Sequence, residues 1–327
     1  MAAYTTIDNP GEYFNTKLYT GTGSSHAITG VGFAPNWVWI KKRSASGAHG
    51  LLDTVRGVHE SLASNSNGGT NDDSNSLTAF GSDGFTVGSS GAFNGGSATF
   101  ASWNWKETAT AGFDIVTYSG SAASSKTISH SLSAVPKMII VKCRSADENW
   151  AVYHHTLGNT HALFLNTTGA KSDTPVFADT TPTSSVFSVS ADDRTGADGK
   201  TYVAYVFADV KGYSKFGSYT GNGNANGTFI YTGFKPAFVI RKKSSGAESW
   251  QMHDNKRDTF NVVYHRLLAE DNGSEYTSSS NQLDFLSNGF KMRATNDGGN
   301  ASGGTYIYMA FAENPFVTSG GVPATAR

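Results

Sequence analysis

Short stretches of alternating hydrophobic and polar residues follow one another along the chain, separated by glycine, asparagine, aspartate or serine. Between residues 113 and 212 the stretches FDIVTYSG, KTISHSL, SVFSVSA and TYVAYVFADV alternate in this way, which predicts strands with one buried face. The run PKMIIVKCRS is apolar without a break, as expected for a strand buried on both faces. About seven short strands predict an antiparallel β-sandwich, jelly-roll or lectin-like. The best candidates for short helical turns are 53–64 and 264–271.

The same pattern recurs three times, about 100 residues apart, which indicates a tandem triplication. Two landmarks keep their order, a tyrosine that opens a glycine turn and a proline ahead of the apolar run. The tyrosines are Tyr19, Tyr118 and Tyr219, and the prolines are Pro35, Pro136 and Pro236. A segment of this length can bury a core of its own, so an all-β fold of three tandem antiparallel β-sandwich domains is expected.

The repeat divides the chain into five parts. They are an N-terminal attachment arm (1–12), unit 1 (13–112), unit 2 (113–212), unit 3 (213–316) and a C-terminal tail (317–327). The linkers between units are short and are not long Gly/Ser or Pro tracts. We therefore expect neighbouring units to contact one another, with pseudo-threefold symmetry.

Charge and composition narrow the classes of function. The chain has 25 Lys and Arg against 26 Asp and Glu, a net charge of −1, which gives no electrostatic basis for binding nucleic acid. No apolar run is long enough for membrane insertion, and the N-terminus has no secretory pattern. Synthesis in a host cytoplasm is therefore expected. The basic clusters KKRS, KCRS and RKKSS at the strand ends are interpreted as solvated charges.

The sequence predicts no catalytic residue, no metal site and no cofactor. The acidic clusters at 71–75, 192–199 and 267–275 lie in Gly/Ser/Asn-rich loops and do not recur in all three units. Glycoside cleavage requires two facing carboxylates, so these clusters are interpreted as solvated loops. The single cysteine, Cys143, lies within a strand and is interpreted as a packing residue. The chain is therefore predicted not to be an enzyme.

Aromatic residues are the richest signal in the sequence. Trp37 with Trp39, and Trp103 with Trp105, have i, i+2 spacing and are interpreted as core or inter-domain pairs. Trp150 and Trp250 begin strands at matching positions, with polar neighbours, and a histidine takes that position in unit 1. The candidate surface contacts for a glycan are His49, Trp150, His154, Trp250 and His253.

The first unit resembles a domain of tailed-phage virion proteins, especially those of phages of marine bacteria and cyanobacteria. The resemblance rests on the stretches YFNTKLYTGTGSSHAITGVGFAPNWVWIKKRS, LLDTVRG, LTAFGSDGFTVG and FASWNWKE. Units 2 and 3 have diverged: VRG of unit 1 becomes TLG in unit 2 and NKR in unit 3. Proteins of this kind are usually labelled tail-fibre or structural proteins. The resemblance implies a non-enzymatic virion component with an all-β sandwich fold, and it supplies no catalytic residues.

Three functions are candidates on this basis. The least favoured is a polysaccharide depolymerase, because it requires facing carboxylates in a cleft and none recur in the three units. The most favoured is a virion structural protein, such as a capsid decoration (cement) protein or another head- or tail-associated component. The alternative is a carbohydrate-binding tail-fibre or baseplate adhesin that recognises host-surface glycans. The expected partners are other virion proteins, from the capsid or the tail. A host-surface polysaccharide and further copies of the chain are the other candidate partners.

Overall fold

The computed structural model describes residues 5–325, and it is all-β with several antiparallel sheets. The strands of unit 1 are β1 (Phe14–Thr20), β2 (His26–Thr29), β3 (Trp37–Lys42), β4 (Gly50–Asp53), β5 (Glu60–Ser61), β6 (Asn71–Asp72), β7 (Leu77–Gly81), β8 (Gly84–Val87) and β9 (Thr99–Trp105). Those of unit 2 are β10 (Phe113–Ser119), β11 (Lys126–Ser129), β12 (Met138–Cys143), β13 (Ala151–His154), β14 (His161–Phe164), β15 (Ser172–Asp173), β16 (Val186–Val189) and β17 (Thr201–Phe207).

Unit 3 has the longest strands of the chain, together with several short ones. They are β18 (Ser214–Thr220), β19 (Phe229–Tyr231), β20 (Phe234–Lys243), β21 (Gln251–Asp254), β22 (His265–Leu268), β23 (Tyr276–Thr277), β24 (Leu283–Leu286), β25 (Gly289–Met292) and β26 (Thr305–Pro315). Among residues 5–325, helical structure is limited to α1 (Gly91–Asn94) and 3₁₀ turns at Pro10–Glu12, Ala109–Ala111, Pro175–Phe177 and Ser279–Asn281. The two helical turns expected at 53–64 and 264–271 are wrong: strands β5 and β22 lie there.

One strand order recurs in the main sheet of each unit. The orders are β1-β9-β3-β4, β10-β17-β12-β13-β14-β15 and β18-β26-β20-β21-β22-β23. A smaller sheet accompanies each one: β2-β8-β7, β11-β16 and β19-β25-β24. The registers also match, since Thr20 pairs with Thr99 just as Thr220 pairs with Thr305. Positions that hold the same register in different units are called equivalent below.

The central strand of each main sheet is buried on both faces, as its apolar sequence predicts. In β3, Trp37 and Trp39 join a central cluster, whereas Val38 and Ile40 join a local cluster with the smaller sheet of unit 1. This division follows from the period of two along a strand. Strand β12 divides in the same way between the central cluster and the local cluster of unit 2.

The central cluster contains residues from all three units, so the units share one core in addition to their local cores. Phe14 of unit 1 stacks on Phe311 of unit 3 at 5.1 Å between ring centroids. Trp37 stacks on Tyr205 of unit 2 at 4.4 Å. Stacked rings of this kind contribute about 0.5–1.5 kcal/mol beyond their burial. The expected contact between units is present, and the predicted core position of the tryptophan pairs is confirmed.

The proline ahead of each central strand has a different setting in unit 3. Pro35 and Pro136 precede β3 and β12, where no ladder donor is lost. Pro236 instead lies inside β20, and the register shifts on both sides of it. A β-bulge accommodates the missing N–H there.

Residues near both ends of the described range contact the rest of the protein or one another. Thr5 donates a hydrogen bond from Oγ1 to the carbonyl of Lys211 (3.0 Å), and Ile7 joins the central cluster. Asp8 accepts hydrogen bonds from the backbone N–H (2.7 Å) and the hydroxyl of Ser319 in the C-terminal tail. Residues 1–4 of the predicted attachment arm lie outside the described residues, and the attachment role stays a prediction.

Candidate functional site

The five predicted surface contacts are all buried. Their side chains are at most 1 % exposed: His49, Trp150, His154, Trp250 and His253. The prediction of an exposed position is therefore wrong for each of them. Four of the five lie where one unit meets the next, and each of these four has a carbonyl of a neighbouring unit within hydrogen-bonding distance. The fifth, His253, lies inside unit 3.

Three of these residues occupy equivalent positions and each reaches into a neighbouring unit. The indole Nε1 of Trp150 donates to the carbonyls of Ala63 (3.0 Å) and Ser66 (3.1 Å) in unit 1. The indole Nε1 of Trp250 donates to the carbonyl of Phe164 in unit 2 (3.0 Å). The contacts run from unit 2 to unit 1 and from unit 3 to unit 2.

His49 makes the third contact, from unit 1 to unit 3, and so closes a ring. Its Nδ1 accepts a 2.8 Å hydrogen bond from Trp39 Nε1, which places the proton of a neutral ring on Nε2. Nε2 lies 3.0 Å from the carbonyl oxygen of Leu268 and 3.2 Å from that of Asp271. Burial, aided by nearby Lys41, lowers the pKa of His49 to about 3. The ring therefore acts as a neutral hydrogen-bonding residue at neutral pH.

Three equivalent lysines repeat the same ring of contacts. Each is fully buried, and each donates from Nζ to a carbonyl of a neighbouring unit: Lys41 to Asn272 (3.2 Å) and Gly273 (2.7 Å), Lys142 to Asn67 (2.9 Å) and Lys242 to Thr168 (3.2 Å). Burial lowers the pKa of each lysine to about 8. The interpretation of the basic clusters as solvated is wrong for these three residues.

Backbone hydrogen bonds link the units in a ring as well. The N–H of Thr70 donates to the carbonyl of Arg144 (2.8 Å), Lys171 to Ser244 (3.0 Å) and Glu275 to Arg43 (2.9 Å). The three acceptor carbonyls occupy equivalent positions, and together these bonds join unit 1 to unit 2, unit 2 to unit 3 and unit 3 to unit 1. Interfaces that repeat in one direction and close are the arrangement of a cyclic trimer, here within one chain.

A buried ion pair strengthens two of the three interfaces. Arg56 Nε lies 2.6 Å from Asp53 Oδ2, both side chains are fully buried, and the hydroxyl of Tyr205 in unit 2 donates to the same oxygen (2.8 Å). In unit 3, Arg257 pairs with Asp254, whose Oδ2 accepts a 3.1 Å hydrogen bond from Trp103 Nε1 of unit 1. The Arg257 charge holds the pKa of Asp254 low despite its burial.

The interface between units 2 and 3 has no such ion pair, because all three residues that form the arrangement are replaced. His154 stands where the other units have aspartate, Leu157 where they have arginine and Met309 where they have tyrosine or tryptophan. His154 Nε2 lies 3.3 Å from the carbonyl of Tyr308, and burial lowers its pKa to about 3. A buried aspartate without its arginine would be costly, so the three replacements are physically linked.

His253 belongs to a polar group within unit 3. Its equivalents are Leu52 and Tyr153, and nearby Arg241 stands where the other units have Ile40 and Val141. Arg241 is fully buried and donates from Nη2 to the side chain of Gln251 (3.0 Å) and the carbonyl of Asn281 (3.1 Å). Burial and then the nearby arginines lower the pKa of His253 well below its usual range.

The outer surface also differs between the units. Among residues 5–325, the aromatic side chains that are more than a third exposed all belong to unit 3: Phe229, Tyr231, Phe260, Tyr264 and Tyr276. An open depression of about 530 Å³ is lined by residues 257–262, Tyr264, His265 and Gln282. The residues predicted from sequence did not include these aromatics. The signal that was available is spacing, since ten residues separate Asp254 from His265 and only six separate the equivalent His154 from His161.

The described part of the chain has neither a group of metal ligands nor a membrane-spanning helix. Residues 5–325 form an all-β protein in which three repeated units close a ring, and no three His, Cys, Asp or Glu residues in that range group as metal ligands. No helix of this range has the length and apolar character to cross a membrane.

Comparison with known proteins places the chain in a family. The chain belongs to the DUF7483 family, described as a domain of unknown function, which matches residues 9–315. Neither the curated proteins nor the solved structures give a match.

Proposed function

We propose that this protein is a non-enzymatic structural component of a bacteriophage virion, most directly a capsid decoration (cement) protein or another head- or tail-associated part. The observation that carries the proposal is the closed ring of three repeated units. The resemblance of unit 1 to virion domains of tailed phages supports the same assignment.

The ring suits a protein that binds a symmetric particle. We infer that each unit is a jelly-roll or lectin-like antiparallel β-sandwich, in which the smaller sheet covers the outer face of the main sheet. Three such units arranged as a cyclic trimer present three similar faces at fixed angles. A fused triplet can therefore occupy a threefold position of a lattice, or replace a homotrimer, with other virion proteins as partners.

The location of the perturbed ionisable groups supports a structural role. His49, His154 and the buried lysines have shifted pKa values, and such values often mark catalytic sites. Here these groups lie within hydrogen-bonding distance of carbonyls of a neighbouring unit. Because these groups are buried between units, they help to hold the units together.

Analysis of purified particles of a phage that encodes this chain tests the proposal. Mass spectrometry would detect the chain, and cryo-electron microscopy would place and count it. Copies in the hundreds on the head indicate decoration, whereas six to eighteen copies at the tail indicate a fibre, collar or baseplate part. Absence of the chain from purified particles overturns the proposal.

The alternative function is a tail-fibre or baseplate adhesin that recognises host-surface glycans. The five residues first predicted for that role are buried, so they give it no support. The exposed aromatic residues of unit 3 favour it independently.

A further inference from the structure

The geometry points to a saccharide-binding site on unit 3, formed by the 257–265 loop with Gln282 and centred on the exposed ring of Phe260. The ligand class is an uncharged pyranose unit of a polysaccharide. The site borders the interface between units 3 and 1 at Arg257, and its other lining residues take no part in the interfaces described above. It does not depend on the place of the protein in a virion.

The loop exists only in unit 3. In units 1 and 2 the corresponding chain turns sharply at Gly57 and Gly158, which have φ of +98° and +82°. Such left-handed conformations favour glycine. Unit 3 has Asp258 at this point and a loop four residues longer than the equivalent turns before it reaches β22. The extra residues carry Phe260 away from the body of the protein.

Hydrogen bonds hold the loop in place at both ends. Asp258 Oδ2 accepts the backbone N–H groups of Tyr264 (2.9 Å) and His265 (2.8 Å), and its Oδ1 lies 2.7 Å from His265 Nδ1. Asn261 exchanges two hydrogen bonds, each 2.9 Å, with the backbone of Phe285 in β24. A loop fixed in this way is preorganised, so less conformational entropy is lost when a ligand binds.

Phe260 is 76 % exposed, the highest value of any large apolar side chain among residues 5–325. Holding an aromatic ring in water gains nothing for folding, which makes such a ring a candidate contact. Tyr264 is also exposed, and its ring packs on His265 at 4.3 Å between centroids. The flat apolar face of a pyranose can lie on such rings while its hydroxyls bond to polar side chains.

The polar lining fits hydroxyl groups better than anions. Gln282 and His265 line the depression. The Gln282 amide can donate and accept hydrogen bonds, and His265, whose Nδ1 faces Asp258, offers its Nε2. The cation at the depression, Arg257, bonds Asp254, Glu275 and the carbonyl of Met252 from its side-chain nitrogens. Its side chain is buried, so it offers no free charge to a phosphate or a carboxylate. The volume of about 530 Å³ lies within the range of about 300–1,000 Å³ typical of ligand sites.

A second pair of exposed aromatics extends the surface on the same unit. Phe229 and Tyr231 project from β19, at positions where unit 1 has Ala27 and Thr29. The loop joins the opposite edge of the same small sheet, because Val263 pairs with β24. Three strand spacings make about 14 Å between the two edges. A ligand that reaches both edges must span about this distance, as a chain of sugars can and a single pyranose cannot.

Binding of the full-length protein to an array of bacterial surface polysaccharides and neutral oligosaccharides tests the inference. The variants are Phe260→Ala and Tyr264→Ala, with Val135→Ala as a control because Val135 is an exposed apolar residue of unit 2. We expect wild type and the control to bind a common set of glycans, and Phe260→Ala to lose at least tenfold in affinity. Since Phe260 is so exposed, all variants should keep the unfolding temperature of wild type.

Three outcomes overturn the inference. In the first, wild type binds no glycan. In the second, Phe260→Ala and Tyr264→Ala bind the glycan with the affinity of wild type. In the third, Phe260→Ala abolishes only an association with another protein of the particle. In each case the virion proposal is decided separately, by the presence of the chain in purified particles. A protein found in the virion that binds no glycan refutes the site and leaves the structural role standing.

Discussion

The hydroxyl of Tyr205 in unit 2 donates a 2.8 Å hydrogen bond to Oδ2 of Asp53 in unit 1. Both residues are fully buried, and the same carboxylate pairs with Arg56. One hydrogen bond therefore joins the core of one unit to the ion pair of another, and burial raises the pKa of Tyr205 well above 10.

Replacing this tyrosine tests how much the interface contributes to stability. We expect Tyr205→Phe to lower the free energy of unfolding by about 1–3 kcal/mol, because the buried carboxylate and guanidinium each lose a partner. Urea denaturation followed by tryptophan fluorescence measures the change. Tyr13→Phe is the control, since Tyr13 is only half-buried and makes ring contacts. A loss below 0.5 kcal/mol, on the order of a surface substitution, would contradict the prediction.

Two buried arginines should respond in opposite ways to the same substitution. Arg257→Met leaves Asp254 charged and unpaired, and we expect a loss of about 3–5 kcal/mol. Among residues 5–325, no carboxylate lies within ion-pair distance of Arg241, whose burial lowers its pKa. Arg241→Met should therefore leave stability unchanged or raise it by up to about 4 kcal/mol. Equal losses in the two variants, by chemical denaturation, would refute this difference.

The buried histidines predict a loss of stability in mild acid. His49 and His154 have pKa values of about 3 in the folded protein, against 6.5 for a free side chain. Between these values the unfolded chain binds more protons than the folded one, so the free energy of unfolding falls as pH falls from 6.5 towards 3. Each histidine contributes a slope of about 1.4 kcal/mol per pH unit.

His154→Gln isolates one part of this slope. Denaturation with urea between pH 4.5 and pH 6 avoids most carboxylate titration, and the variant should show a slope shallower by about 1.4 kcal/mol per pH unit. His130→Gln serves as a control, because the hydrogen bond of His130 to Thr183 lies at the surface. A slope that stays the same in His154→Gln would mean that this ring is protonated or exposed in the folded protein.

The shared core predicts that a single unit is not stable alone. Expressed separately, residues 113–212 would expose the apolar face that Met138, Ile140 and Phe207 present to the central cluster. We expect this fragment to aggregate, self-associate or lack a cooperative unfolding transition. Size-exclusion chromatography and thermal denaturation check this. A soluble monomer that unfolds cooperatively would restore the expectation of three independent domains.

Much of the fold could be predicted because strand period and burial are local properties. The spacing of Trp37 and Trp39 placed both rings on one buried face, and the repeat gave the correct equivalence of Trp150 and Trp250. Their environment could not be read in the same way. The sequence does not distinguish a polar residue that faces solvent from one that faces a carbonyl of another unit. Lys142 shows this best, since its partner Asn67 lies 75 residues away in the chain.

Features common to all three units could not predict the exposed site. Phe260 and the longer loop are present in unit 3 alone. Comparison of the repeats for their differences, in length and in aromatic content, would have found them from the sequence. Whether such an aromatic is buried or held outward depends on Asn261 and Phe285, whose contact only the folded structure reveals.

The peptide chain joins unit 1 to unit 2 and unit 2 to unit 3, but it does not join unit 3 to unit 1. That unlinked boundary carries many polar contacts: His49 with Leu268, Lys41 with Gly273, Ser64 with Ala269, Arg43 with Glu275 and Trp103 with Asp254. Asp8 and Ser319 bring the two ends of the described chain together beside it. The ring of interfaces therefore does not require the chain to open between units 3 and 1. A circular permutant that joins these ends and opens between units 1 and 2 would keep every interface, with non-covalent contacts alone at the new opening.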